Sequence, residues 1–188
     1  MSTIAAAPFD DTAADVILQS SDNVHFYVYK IVLALASPVF ADMFAVPQPQ
    51  RNNHHPHPVI PVSESSRALG RLLAWCDPRC TPSFGSPENI PAMLKVADKY
   101  GMDKMTRHAA EILMLSTAYI EREPMRVFAI SVRYHLTDVA KMAAKATLCY
   151  SWEEQVDQTT PELKDIPAIS LRQLDAYQLA CQPPPFFQ

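Results

Sequence analysis

The chain has 188 residues, 48% of them hydrophobic and 19% charged, enough for one well-buried core with a helical appendage but not for two large domains, and unlike a disordered segment. A net charge of −4 and a pI near 5.8 give no broad basic field, which argues against direct nucleic-acid binding. There is no basic leader ahead of Asp10-Asp11, and the longest charge-free apolar run, residues 31–41, is broken by Ser37-Pro38, so neither an export signal nor a membrane span is expected.

Residues 1–14 are small, polar and unpatterned, and read as a flexible N-terminus. From Asp15 the chain alternates, with Val16, Leu18 and Ser20 on one face and Ile17 and Gln19 on the other, which predicts a strand. Ser20-Ser21-Asp22-Asn23 is a turn cluster, and residues 24–29, rich in β-branched and aromatic side chains, form the returning strand of a hairpin. Residues 30–36 turn helical, with Ile31, Val32 and Leu35 at one-turn spacing. Ser37 then suits the N-cap and Pro38 the first position of a second helix with Phe40, Met43 and Phe44 on its apolar face.

Residues 46–61 hold five prolines and three histidines and read as a surface loop, ending in a short edge strand at Val59-Ile60-Pro61-Val62. A helix is expected to open at Ser63-Glu64 and to carry Ala68, Leu69, Leu72, Leu73 and Cys76. After a Pro/Ser-rich loop at 77–89, the next helix carries Ile90, Met93, Leu94, Ala97 and Tyr100, with Gly101 as its left-handed cap. Asp103 caps the helix after that, in which Met105, Ala109, Ile112 and Leu113 face inward. Beyond Pro124 a second helical portion has Val127, Phe128, Val139, Ala143, Leu148, Leu171, Leu174 and Tyr177 as its apolar positions. The letters show no internal repeat. Strands gathered early and helices following predict an α+β domain with a three-stranded or larger sheet under helical cover, then a helical extension.

Three stretches, Asp15-Val16-Ile17-Leu18, residues 26–34 and residues 37–44, resemble in order the opening of the BTB/POZ family: Asp-hydrophobic, polar hairpin turn, Phe, a basic step, Val-Leu-Ala, Ser, Phe and Met-Phe. Residues 97–102, Ala-Asp-Lys-Tyr-Gly-Met, are similar to that family's penultimate-helix signature. The likeness covers residues 15–116. The Pro-rich loop and Leu72-Leu73-x-Trp-Cys-Asp-Pro are similar to fungal members, and residues 124–182 form a helical continuation.

The resemblance implies a non-catalytic protein–protein interaction module in an intracellular setting, cytoplasmic or nuclear. Its partners would be other proteins: a second copy, or a cullin-type ubiquitin-ligase scaffold. No cofactor, small-molecule substrate, membrane or direct nucleic-acid contact is implied. A scaffold in transcription acting through a partner is the alternative, and an enzyme a distant third. Asp15 and Lys30 match the family's paired charges, which either line a recognition pocket or lock the fold's register, or else form a partly buried ion pair that does no more than satisfy its own desolvation.

The chain also departs from the family. Tyr29 stands where His is usual, and Phe44-Ala45-Val46-Pro47-Gln48 lacks the hydrophobic-x-Glu step of cullin-recruiting members. Fewer than fifteen residues precede Asp15, where interlocked homodimers have an additional strand and helix.

Phe40, Met43 and Phe44 are the candidate interaction residues: two aromatics and a methionine at one helix end make an adaptable apolar surface. Leu69, Leu72, Leu73 and Trp75, with Met93, Leu94 and Met105, fit a core. The ends of the chain and its reactive side chains give weaker signals. His54, His55, His57, Cys76 and Cys80 are residue types zinc favours, but one Cys-x₃-Cys is not a paired knuckle. Cys149 and His135 have no glycine elbow beside them. Asp10-Asp11, Glu121, Glu123 and Glu153-Glu154 suit solvated or helix-terminal positions. The four cysteines fit reduced thiols, and the Pro-rich tail 183–188, with the composition of a polyproline ligand, reads sooner as an exposed apolar end or a truncated gene product.

Overall fold

The computed structural model describes residues 3–46, 57–150 and 160–181. These divide into two compact units, one through Thr106 and one from Arg107 onward.

The first unit is built on a four-stranded sheet. Strands β2 (Val16–Gln19) and β3 (Val24–Val28) form the expected antiparallel hairpin, with Leu18 opposite Phe26. Asn23 adopts φ 61 in the turn, a left-handed conformation that asparagine tolerates. β4 (Val59–Pro61) adds parallel to β2 at one edge, where the missing N–H of Pro61 does least harm to the ladder.

At the other edge β1 (Thr3–Ile4) runs parallel to β3. The segment expected to be mobile is therefore tied down. Phe9 is buried and tilted against Phe26 at 5.9 Å, and its carbonyl accepts the Tyr27 amide at 2.9 Å. A single apolar side chain among small polar neighbours carries no periodicity, so its burial is decided by the pocket it meets.

β2 is buried on both faces. Val16, Ile17 and Leu18 are all inaccessible, because Ala14, Ile17 and Tyr27 form a small cluster of their own against Tyr29 and Val59. The expected alternation describes the strand's pleat but not its exposure.

Helices α1 (Lys30–Ala36) and α2 (Pro38–Ala45) follow directly. Ser37 caps α2 as expected, its Oγ accepting the Phe40 amide at 3.1 Å with Pro38 at the first position. α3 (Ser66–Cys76) starts later than expected. Ser65 is its cap, and Asp22 from the hairpin turn accepts both the Ser66 amide (2.7 Å) and hydroxyl (2.6 Å). Glu64 is left free to turn inward. A 3₁₀ turn at Pro87–Asn89 leads into α4 (Ile90–Lys99), and Gly101, at φ 63, ends it. Asp103 is the first residue of α5 (Asp103–Leu115).

The second unit contains α6 (Thr117–Arg122), α7 (Pro124–Arg133), α8 (Thr137–Thr147), a 3₁₀ turn at Pro161–Asp165 and α9 (Ala168–Cys181). α7 is its central helix, with Val127, Phe128, Ala129, Ile130 and Ser131 all buried. Leu148 and Tyr177, expected as apolar core positions, stay 40% and 39% exposed.

The letters hold no repeat, as the sequence indicated, but the helix starts recur at one spacing. Pro124 stands 34 positions after Ile90, and α7 and α8 begin at the same offset from α4 and α5. Seven buried positions coincide along the pair, Met93/Val127, Leu94/Phe128, Ala97/Ser131, Met102/Leu136, Met105/Val139, Ala109/Ala143 and Leu113/Thr147, whereas Ala129 and Ile130 are buried and their counterparts Lys95 and Val96 are not. Both first helices end in the same capping bonds, Met102 N–H to Ala97 C=O and Leu136 N–H to Ser131 C=O, each 2.8 Å. Identity is confined to Tyr100/Tyr134, Ala109/Ala143 and Ala110/Ala144. The shared property is burial rather than letters.

Candidate functional site

The structure separates the three candidate residues on α2. Phe40 is 0% exposed, stacked on Tyr100 at 4.6 Å and on Phe44 at 6.0 Å, so it belongs to the interior. Met43 and Phe44 are half-buried and keep part of their surface on the outside of α2. A helix of two turns sends side chains three or four positions apart to one stripe. Here that stripe crosses the boundary between core and solvent.

The larger apolar surface lies on α1. Leu33 alone is fully buried, while Ile31 and Leu35, four positions apart, are 65% and 81% exposed. Two of the three residues whose one-turn spacing predicts this helix face outward. Periodicity finds the stripe, but α2 and α3 choose which side is covered. After Lys30 the helix carries no charge, Ile-Val-Leu-Ala-Leu-Ala, so this face has nothing polar to hydrate it.

Below α1 lies a charged cluster. The Asp15 carboxylate does not meet the Lys30 ammonium as the resemblance implies. Its Oδ1 accepts the Lys30 main-chain amide at 2.8 Å, and the side chain is exposed. Tyr29 precedes the first helical residue and has no capping side chain of its own, so Asp15 satisfies an N–H that the helix leaves open. The contact locks register rather than pairing two charges.

Tyr29 takes a different partner. Its hydroxyl donates to Asp11 Oδ2 at 2.7 Å, which holds the Asp11 carboxyl below its ordinary value and raises the phenol. Arg79 lies 5.9 Å from the center of the Tyr29 ring and grips Asp77 with two bonds, Nε to Oδ1 at 3.0 Å and Nη2 to Oδ2 at 2.7 Å. It also donates to the Pro8 carbonyl at 3.3 Å. Asp11, Asp77 and Arg79 thus fasten the N-terminal segment to the end of α3. Their spacing in the chain offers no local signal for this.

A second network sits behind α2. Tyr100 Oη donates to Glu64 Oε2 at 2.7 Å, and Lys99 closes an ion pair on the other oxygen. Burial would raise the Glu64 carboxyl, but Lys99 and Tyr100 outweigh it and hold it below its ordinary value. Burial and the Glu64 hydrogen bond raise the Tyr100 phenol. Glu64 was expected only to open a helix.

The other residue types with chemical potential do not converge. His57 Nε2 contacts the Thr12 carbonyl at 3.1 Å, Cys76 is half-buried and its thiol pushed up to about 12 by that burial, and His54 and His55 lie outside the described residues. Among the described residues no group of three His, Cys, Asp or Glu side chains could hold a metal ion. His135 precedes α8 and Cys149 follows it, so about 16 Å of helix separates them. Glu123 pairs with Arg126. Glu153-Glu154, residues 47–56 of the Pro-rich loop and the tail 183–188 are outside the described residues. Among the described residues no helix is long and apolar enough to cross a membrane.

The comparisons agree with this architecture. The family model described as BTB/POZ domain matches residues 8–117, taking in the buried Phe9. No curated protein matches the chain.

Proposed function

This chain belongs to the BTB/POZ family, and on that premise we propose that it is a non-catalytic protein-binding module that pairs with a second copy of itself through the outer face of α1. A BTB/POZ domain is a protein–protein interaction module. The observation that carries the finer reading is the exposure of Ile31 and Leu35 side by side on an uncharged helix. Burying an aliphatic side chain of this size stabilises an interface by about 1.5–3 kcal/mol. A two-fold pairing buries the same face twice, so each residue counts on both partners. Met43 and Phe44 would extend the contact along α2. The interaction domain would span residues 15–116, with residues 3–14 strapped to it and 124–182 as a helical extension.

The test is mass in solution. Light scattering over roughly 5–100 μM, the range that distinguishes micromolar association, should give a dimer for the wild type and a monomer for Ile31→Asp/Leu35→Asp. A wild type that stays monomeric across the range, or a variant of unchanged mass, rejects self-association through α1. Affinity capture with wild type beside Met43→Asp/Phe44→Asp addresses an adaptor role. Cullin-ligase components retained by the first and lost by the second would support it, and their absence from both would count against it.

A further inference from the structure

α7 carries Arg126 and Arg133, seven positions apart, which two helical turns bring to the same face. Between them Ala129 and Ile130 are buried. Across that face lies the 3₁₀ turn Pro161–Asp165, whose Glu162 and Asp165 are three positions apart and so point to one side. Arg126 Nε donates to Glu162 Oε2 at 3.2 Å, and Arg133 Nη1 pairs with Asp165 Oδ2 at 2.8 Å. Glu123 also pairs with Arg126. Two cations along a helix thus meet two carboxylates on a short turn, with Leu163 half-buried and Lys164 exposed between the acids.

The 34-residue repeat shows that this is more than a helix end. In α4 the counterparts of Arg126 and Arg133 are Ala92 and Lys99. Lys99 lies 5.0 Å from the center of the Tyr100 ring and holds Glu64; Arg133 lies 5.5 Å from that of Tyr134 and holds Asp165. At each of these helix ends a cation beside a tyrosine grips a carboxylate from elsewhere in its own unit. α7 adds a second cation, and with it a two-pronged receptor.

The occupant is held by contacts suited to exchange. The side chains of the two pairs are 30% and 18% exposed for Arg126 and Glu162, and 35% and 37% for Arg133 and Asp165. Such pairs are weak and screened by salt. The anchors are apolar and lie further on, at Ile166 and Leu174, with Gln178 Nε2 donating to Thr147 Oγ1 at 2.7 Å. For a partner to enter, the acidic turn must lift while α9 stays seated.

We infer that the α7 face between Arg126 and Arg133 is a binding site for an acidic segment of a partner protein, two carboxylates three positions apart around a leucine, and that Pro161–Asp165 is the chain's own occupant of that site. Tethering gives the internal turn a high effective concentration, on the order of millimolar. A partner segment therefore binds well only when the internal turn is weakened or its own affinity is high. This site is independent of self-association through α1.

The test uses the full chain and a fluorescein-labelled synthetic peptide of residues 160–170, followed by anisotropy at ~0.05 M and ~0.5 M NaCl, where screening differs several-fold. Glu162→Ala/Asp165→Ala, which removes the turn's two carboxylates and leaves Arg126 only its Glu123 partner, should bind the peptide about ten-fold tighter than wild type, a clear step in affinity. High salt should abolish the gain, as should replacing both acids in the peptide by alanine. A double variant with an unaltered circular dichroism spectrum that binds no tighter than wild type overturns the proposal, and so does binding that survives loss of the acids.

Should the double variant misfold, hydrogen exchange on the wild type decides. Amides 162–166 should exchange about three-fold faster at ~0.5 M NaCl, while α7 and α8 remain protected. Unchanged exchange rejects a displaceable turn.

Discussion

The Ser37 hydroxyl donates to the main-chain carbonyl of Tyr100, 63 residues further on, at 2.6 Å, while accepting the Phe40 amide at 3.1 Å. One buried oxygen therefore starts α2 and joins it to the end of α4. Phe40 stacks on the Tyr100 ring beside the same junction. The side of α2 that turns inward is set here, and with it the half-exposed position of Met43 and Phe44.

Ser37→Ala removes a cap and leaves the Tyr100 carbonyl without this donor in a buried site. The two losses should lower stability by about 2 kcal/mol. Urea unfolding should show a lower midpoint with an unchanged slope, since the surface exposed on unfolding stays the same.

Phe40→Ala should cost about 3–5 kcal/mol, as a large core truncation does. Met43→Ala, at a half-exposed position on the same helix, should cost under about 1 kcal/mol. The same urea titration checks both, and equal losses would refute the division of α2 into inner and outer residues.

The two helix-ending positions of the repeat should respond in opposite directions. Gly101 has φ 63, and an added Cβ would meet Pro38 Cγ at 2.9 Å, so Gly101→Ala should destabilise by about 1–3 kcal/mol. His135 holds φ 57 with a full side chain. His135→Gly should stabilise by about 0.5–1 kcal/mol. Differential thermal melts of the two variants read the sign directly.

Asp22 is held down to about 2, from an ordinary 3.8, by the hydroxyls of Ser20 and Ser66. A depressed carboxylate stabilises the fold above its unfolded value and loses that contribution as pH falls toward its folded value. The melting temperature of Asp22→Asn should therefore lie below that of wild type at neutral pH. The gap should narrow as pH falls from about 4 toward 2. A gap independent of pH would assign the effect to shape rather than charge.

Thiol labelling of the native chain should distinguish its cysteines. Cys149 and Cys181 are exposed, whereas Cys76 is half-buried and its surroundings push its thiol up to about 12. Mass spectrometry after brief alkylation at neutral pH should find Cys149 and Cys181 modified before Cys76, because the thiolate is the reacting form.

Much of the first unit is legible locally. A hairpin needs a turn cluster between β-rich runs, a helix start needs Ser-Pro, and a helix end needs a residue that accepts a left-handed backbone. Ser20 to Asn23, Ser37-Pro38 and Gly101 each satisfy such a rule within a few positions. The α+β class follows from their order, and the order of matching residues carries the family.

Tertiary structure alone decided which sides of these elements meet water. Ile31 and Leu35 have the spacing of a buried stripe, yet only the packing of α2 and α3 determines that Leu33 is the covered residue. Phe9 lies in an unpatterned segment but finds a pocket beside Phe26. Glu64, Arg79 and Asp15 acquire their partners through contacts 15 to 71 positions away in the chain. Local rules act over one or two turns of backbone, whereas burial and charge pairing act through space, and the 34-residue repeat is visible only as a pattern of burial.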